Sequence, residues 1–413
     1  MDSNTLQSAE IAPVFRNNIP VFAGQQALMG ARQLAEKSKQ AYQQGKYQES
    51  ADLLVASIES YRDMGDAASV AWCLNNLGKI HYRRRELDKA RTALEESVSL
   101  FTGLRDSNGL CWALYNLGRV AHRCEKHEEA VGLLEQSVGH FRAGSDLVGT
   151  AYALNSLGKS AYRCLDLEKA EHCLQESLRL FQELEDQAGV AWSLENLGKV
   201  SYRCQNHAQA HERYQAALDI YRALDETEGV AWSLLSLGKI AYRERRYGEA
   251  VAFVEEGKAI YETKRDTYMI ACATEHLARI AYTVQDYVKA QNLICEGISL
   301  FERVGEKRSV RDLKAALTEV RKILDLKQRE EKKTVDVSWH GPKPHPIRPM
   351  GNGRELVGVG ARPLTYGEGA SAGAGVIMDI GGLEMPKVAP FIWNTSSGPL
   401  SDAEFAEESP MAA

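Results

Sequence analysis

Two Ser-x-x-Lys quartets, Ser156-Leu-Gly-Lys159 and Ser236-Leu-Gly-Lys239, carry the spacing that puts a serine hydroxyl and a lysine amine on one helix face, as in one class of serine hydrolase. Both sit on a template that recurs along the chain, and neither has the companion motifs of such an enzyme. His207 and His211, four apart, have metal-pair spacing for a helix, but no third ligand lies nearby in sequence and they read as an exposed pair. Cys124 and His127 receive the same discount. The eight cysteines form no CxxC pair and no metal-knuckle spacing. Cys124, Cys164 and Cys204 share one recurring position and read as a packing slot, since a thiol behaves as a small apolar filler. Gly367-Glu-Gly369 and Gly373-Ala-Gly375 neither follow a strand nor open a helix, as a phosphate loop requires. Nucleophile, base and stabiliser are nowhere assembled. The reading is non-enzymatic, with no catalytic residue, metal or cofactor assigned.

A second pattern points to recognition chemistry. Trp72, Asn75, Asn76, Lys79 and Arg83 are spaced to share a helix face. The stripe recurs as Trp112, Asn116, Arg119 and Arg123, then as Tyr152, Asn155, Lys159 and Arg163. It continues as Trp192, Asn196, Lys199 and Arg203, then as Trp232, Lys239 and Arg243, and fades at Arg279. Tryptophan supplies rigid apolar area, and asparagine both donates to and accepts from an extended backbone. Cations stacked in register repel one another, so the array gains from an anionic partner. The alternative reading is a structural ladder, in which duplication copies neutral positions, tryptophan packs between units and the arginines pair with carboxylates such as Asp88 or Glu168.

The elements that must position this stripe repeat every 40 residues without insertion. GVAWSLENLGKVSYRC from Gly189 matches GVAWSLLSLGKIAYRE from Gly229, with copies beginning at Ser69, Gly109 and Gly149. Ala191, Leu194, Leu197, Gly198 and Ser201 form the buried stripe of a first helix, and Ala210, Tyr214, Ala217 and Tyr221 that of a second. Gly78, Gly118, Gly158, Gly198 and Gly238 recur inside the first helix, where glycine costs about 1 kcal/mol, so a neighbouring helix must come close. Asp66, Asp106, Asp146 and Asp186 fall where an aspartate caps the next helix. All eleven prolines lie outside Val21–Gly341, as a long helical array demands.

Leu77-Gly78, Tyr82, Ala90, Leu94 and Ser97, with the same slots in other copies, resemble the tetratricopeptide repeat over roughly Ala31 to Arg311. The 40-residue unit with Asn-Leu-Gly at 76–78, 116–118 and 196–198 is similar to the long-unit subgroup that includes Pins-type adaptors. The resemblance implies an all-α, right-handed superhelical solenoid of antiparallel helix pairs, about seven repeats plus a C-terminal capping helix. It also places the first helices, and therefore the stripe, on the concave face, where the subgroup binds extended peptides. The chain departs from that subgroup in its tail, which has no G-protein-binding motif. The expected organisation is an irregular arm at 1–30, units at 31–70, 71–110, 111–150, 151–190, 191–230, 231–270 and 271–310, a solvated capping helix at 311–333, and an extended tail at 334–413.

With 44% hydrophobic and 26% charged residues and a net charge of −6, the chain is neither disordered overall nor a match for nucleic acid. It shows no signal peptide and no spanning segment. Reduced thiols without an export signal point to the cytoplasm. Glu95-Glu96, Glu128-Glu129 and Glu183–Glu185 are the candidate acids that balance the cationic stripe. The Pro/Gly-rich tail carries apolar islands, notably Phe391, Ile392 and Trp393, and an acidic end with Phe405. It reads as a docking element, a disordered tail, or an intramolecular ligand for the groove. The function expected is an adaptor holding an extended acidic or polar peptide. The alternatives are a sensor of a small anionic or peptide ligand, or a structural component of a large assembly.

Overall fold

A computed structural model describes residues 25–338, with side chains described over 28–330. The arm before Gln25, the tail with Phe391, Ile392, Trp393 and Phe405, and the expected tail–groove contact lie outside the described residues. Within them are fifteen helices and no strand. The first helices of the seven pairs are α1 (Gln25–Gln43), α3 (Ala67–Arg83), α5 (Ser107–Arg123), α7 (Leu147–Arg163), α9 (Gln187–Arg203), α11 (Thr227–Arg243) and α13 (Thr267–Thr283). Their partners are α2 (Tyr47–Asp63), α4 (Leu87–Leu104), α6 (His127–Ala143), α8 (Leu167–Glu183), α10 (His207–Ala223), α12 (Tyr247–Lys264) and α14 (Tyr287–Val304), and α15 (Lys307–Ser338) closes the stack. The whole is a right-handed superhelical solenoid of antiparallel pairs.

Aspartate caps set the start of five of the first helices. The Asp66 carboxylate accepts from Ser69 N at 3.0 Å, Asp146 from Gly149 N at 2.8 Å and Asp186 from Gly189 N at 2.9 Å, each cap contributing about 1 kcal/mol. The helices consequently start at Ala67, Ser107 and Leu147, a turn before the unit boundaries expected at 71, 111 and 151. Helix also begins at Gln25, inside the segment expected to be irregular, and α15 exceeds the 311–333 expected. Nor is α15 simply solvated, for it buries Leu313, Ala316 and Val320.

At the other end of each helix stands a left-handed residue. These recur every 20 positions, from Gly45, Gly65, Arg85 and Arg105 through Leu165 to Gln285 and Gly305. The conformation returns the chain for the next antiparallel helix. Cys124, Cys164 and Cys204 immediately precede such residues as C-caps of α5, α7 and α9. They are half-buried or, at Cys204, exposed, which corrects the expectation of a packing slot.

Between the helices of a pair the approach is close. A methyl group on Gly118 would lie 2.7 Å from Leu134 Cγ, and one on Gly158 would lie 2.6 Å from Leu174 Cγ. Buried serines of the second helices fill the matching slots: Ser97, Ser137 and Ser177 donate to the carbonyls of Ala71, Cys111 and Ala151 at 2.8–2.9 Å. Successive first helices approach one another more closely than successive second helices, which makes them the inner, concave wall. Along the outer wall the second helices are joined by ion pairs, Arg62–Glu96 at 2.5 Å, Arg91–Glu129 at 2.8 Å, Arg142–Glu176 at 2.6 Å and Arg222–Glu256 at 2.6 Å. Glu95, Glu96 and Glu129 thus balance second-helix arginines.

A non-glycine residue in the left-handed region costs roughly 1 kcal/mol, and Leu165, with φ 66° and 61% exposure, has no packing to offset it. Leu165→Gly should therefore raise unfolding stability by about 0.5–1 kcal/mol in a urea melt. A fall in stability would count against this account of the turns.

Candidate partner-binding groove

The stripe read from sequence divides in two when placed on the first helices. Its aromatic members belong to the core. Trp72 packs edge-to-face on Phe101 with centroids 5.1 Å apart, Trp112 on Phe141 at 4.8 Å and Tyr152 on Phe181 at 5.0 Å. Trp192 and Trp232 are equally buried. The expectation that these rings offer apolar area to a ligand is corrected. A first helix touches its own partner, the previous second helix and the next first helix, so its buried arc is wider than one stripe.

The asparagines are buried as well, and they bond to one another across units. Asn116 Nδ2 donates to Asn75 Oδ1 at 3.0 Å, and Asn196 Nδ2 to Asn155 Oδ1 at 2.9 Å. Asn155 Nδ2 donates in turn to Ser193 Oγ at 2.7 Å. Asn75, Asn76, Asn116, Asn155 and Asn196 are all under 6% exposed. They form an internal polar seam along the inner wall in place of a row of backbone-binding amides.

The cations are what reach the groove. Lys79, Arg83, Arg123, Lys159, Arg163, Lys199 and Lys239 are half-buried, Arg203 and Arg243 are exposed, and Arg119 is largely covered. Several dock on a tyrosine of the preceding unit. Arg123 and Arg119 lie over the Tyr82 ring at 5.2 and 4.9 Å, Arg203 over Tyr162 at 5.6 Å, and Lys239 over Tyr202 at 4.7 Å. Arg83 Nε donates to Tyr42 Oη at 3.3 Å and Arg243 Nε to Tyr202 Oη at 3.2 Å. Each such contact is worth about 0.5–1 kcal/mol at an exposed site and holds the cation in place. Lys199 and Arg279 differ, for Lys199 Nζ donates to the buried Glu195 carboxylate at 2.6 Å and to Asn196 Oδ1 at 3.2 Å, and Arg279 Nη2 donates to Glu275 at 2.9 Å. Neither Asp88 nor Glu168 lies in these contacts.

Tyr42, Tyr82, Tyr162 and Tyr202, which seat these cations, are positions that the stripe did not include, although their 40-residue recurrence was visible. In the third unit the slot holds His122 instead. Its Nδ1 lies 3.0 Å from Ser160 Oγ, its Nε2 is buried without a partner, and burial with nearby cations pushes its pKa well below the usual histidine value. His122, Lys159, Arg163, Lys199 and Lys239 line a cavity of about 40 Å³ on the inner wall. Among the described residues, no group of three or more His, Cys, Asp and Glu is placed to hold a metal ion, and no helix is long and apolar enough to cross a membrane.

A curved stack of helix pairs with lysines and arginines along its inner wall is a repeat scaffold whose extended concave surface suits protein–protein interaction. Five overlapping matches to the tetratricopeptide repeat model cover residues 38–103, 80–143, 109–183, 149–223 and 189–263. The chain belongs to the tetratricopeptide repeat family. Among solved structures it is similar to a signal transduction ATPase with a tetratricopeptide repeat sensor from Pyrococcus horikoshii, with TM-score 0.55, 15% identity, and 71% of this chain and 44% of that one covered. It is also similar to a Rap protein complexed with competence and sporulation factor, with TM-score 0.52, 13% identity, and 78% and 92% covered. At these identities the likeness speaks for the fold alone, and nothing in it singles out the Pins-type subgroup. No curated protein matches the sequence.

The asparagine seam has a measurable consequence. Asn155→Ala removes a donor to Ser193 and leaves the buried Asn196 amide without its acceptor, which should cost about 1–3 kcal/mol. A urea melt with unchanged midpoint would show that the seam contributes nothing to the fold.

Proposed function

We propose that the chain is a non-enzymatic adaptor whose concave face binds an extended acidic or polar peptide. The observation that carries this is the separation of charge between the walls. Acids of the second helices are occupied by second-helix arginines on the outside. The inner wall carries Arg83, Arg123, Arg203, Lys239 and Arg243, each seated on or against a tyrosine of the preceding unit. A cation stacked on a ring keeps its charge and much of its hydrogen-bonding capacity, so an anionic backbone laid along the groove meets pre-positioned donors. The tail segment Phe391-Ile392-Trp393 is proposed as a second docking element because an apolar island interrupts a Pro/Gly-rich stretch. The reading as a sensor of a small anion is favoured by one observation, the cavity beside His122.

The test must spare the fold. Reversing Lys199 would set a second carboxylate against buried Glu195, which already accepts from Tyr221 at 3.1 Å. Arg203 and Arg243 are exposed and avoid this. Arg203→Glu with Arg243→Glu should weaken binding of a labelled Glu/Ala peptide by at least about tenfold, read by fluorescence anisotropy, while loss of the two tyrosine contacts lowers the melting temperature by only about a few degrees. Wild-type affinity should fall steeply with added salt. Binding that ignores both the double reversal and salt would overturn the proposal.

A further inference from the structure

The cavity lined by His122 and Arg163 has a counterpart two units earlier, and comparing them isolates what differs. The earlier one is lined by Tyr42, Lys79, Tyr82, Arg83, Asn116 and Arg119 and has a volume of about 10 Å³. Advancing each by two units gives His122, Lys159, Tyr162, Arg163, Asn196 and Lys199, all of which line the larger cavity of about 40 Å³. In the earlier unit Arg83 donates to the Tyr42 hydroxyl. In the later one histidine replaces that tyrosine, and Arg163 Nη1 is buried with no hydrogen-bond partner.

A second departure accompanies the first. The position held by Ile80, Val120, Val200, Ile240 and Ile280 in other units is Ser160. Ser160 is fully buried, and its hydroxyl donates to the Ser156 carbonyl at 2.9 Å. The 3.0 Å contact with His122 is therefore donated by Nδ1–H, which leaves Nε2 with a lone pair. His122 is 8% exposed, and this Nε2 has no partner. The site thus holds one uncommitted buried acceptor, one uncommitted buried donor, and the ammonium groups of Lys159, Lys199 and Lys239. Among the described residues no acidic side chain lines it. Glu195 reaches Lys199 from the side.

We propose that this cavity is a socket for a phosphoryl group, carried on a side chain of the bound partner or present as free phosphate, with His122 Nε2 as its proton-accepting member. The proposal deepens the peptide-groove reading and rests on it for the peptide-borne case. A phosphoryl group offers three strong acceptor oxygens and up to two negative charges, matching a cluster of Arg163 and three lysines. A carboxylate offers fewer acceptors and, ionised at neutral pH, no proton for Nε2. The volume of about 40 Å³ holds a small polyatomic anion in place of a few waters. The charged and titratable groups facing His122 are His127 on α6, Lys159 and Arg163 on α7, and Lys199 on α9, and all of them favour the neutral ring. A bound dianion opposes that set, so the ring takes up a proton when the phosphoryl group enters, supplied by the ligand or by solvent. Affinity accordingly rises as pH falls, until the free ligand is itself protonated near its second ionisation at about pH 6.

The test uses the full chain with inorganic phosphate, a phosphoserine-containing peptide and its unphosphorylated twin, by titration calorimetry in two buffers of different ionisation enthalpy. The wild type should bind phosphate or the phosphopeptide with proton uptake and prefer the phosphopeptide to its twin. Tighter binding of the phosphopeptide than of phosphate assigns the ligand to the partner, and the reverse order assigns it to free phosphate. His122→Tyr restores the residue of the other units and should keep the fold. It should weaken phosphate binding by at least about tenfold and abolish proton uptake, while binding of the Glu/Ala peptide persists. Arg163→Gln, with no change at His122, should weaken phosphate comparably. Arg203→Glu with Arg243→Glu should do the opposite, losing the Glu/Ala peptide and keeping phosphate, so that failure of the groove and failure of the socket are separable. Absence of phosphate and phosphopeptide binding, or binding indifferent to both His122→Tyr and Arg163→Gln, overturns the proposal.

Discussion

The spacing between the two helices of a pair governs everything else in this solenoid. It is set where a glycine of the first helix meets a large apolar side chain of the second, as at Gly118 against Leu134 and Gly158 against Leu174. The same approach lets Ser97, Ser137 and Ser177 bond to first-helix carbonyls. At Gly158 a methyl group would also stand 3.1 Å from the Ala170 carbonyl oxygen, which is backbone and cannot rotate away. Close packing of this kind has little slack, because interiors approach crystal density. A fixed pair geometry, repeated with a left-handed residue every 20 positions, brings each unit into the same relation with the last. That regularity brings Arg123 over Tyr82 and Arg203 over Tyr162.

Separation of charge follows from the same geometry. Second helices splay on the outer side, where long side chains bridge the gap as Arg62–Glu96 and Arg222–Glu256 do. First helices are crowded on the inner side, and their polar side chains must either bond internally or stack. Asparagine does the former, giving the pairs Asn75–Asn116 and Asn155–Asn196, as does Lys199, and Arg123, Arg203 and Lys239 do the latter. Exposed ion pairs contribute little to stability, so the outer ladder matters chiefly because it neutralises the second-helix carboxylates where they stand.

Much of this was legible in the sequence. Period, helix pairing, aspartate caps and the close approach at glycine all follow from residue type and spacing. The fate of the stripe was not. Trp72 and Lys79 share a face by spacing, yet the face spans the edge of a buried arc, so that the ring goes in and the ammonium stays out. Spacing alone places residues on a cylinder and says nothing of how much of the cylinder is covered. The left-handed positions were hidden for a different reason. Arg85, Glu125, Leu165 and Gln205 share no chemistry, because the fold imposes their conformation and the side chain does not select it.

Repetition also hid the most informative residues, since a template draws the eye to what recurs. In an array built from one unit, every shared feature is present several times and specifies no single place along the groove. A binding site with a defined position must come from departures. His122 in a tyrosine slot and Ser160 in an aliphatic slot are such departures, they touch each other, and the histidine depends on the serine. A buried serine without His122 would still bond to the Ser156 carbonyl, whereas a buried histidine without Ser160 would leave both ring nitrogens unsatisfied at a cost of about 1–3 kcal/mol each. Together they satisfy one nitrogen and leave the other beside Arg163, whose hydroxyl partner the same exchange removed. In the proposed reading, the array supplies the general attraction for anions, and these two substitutions give it a register.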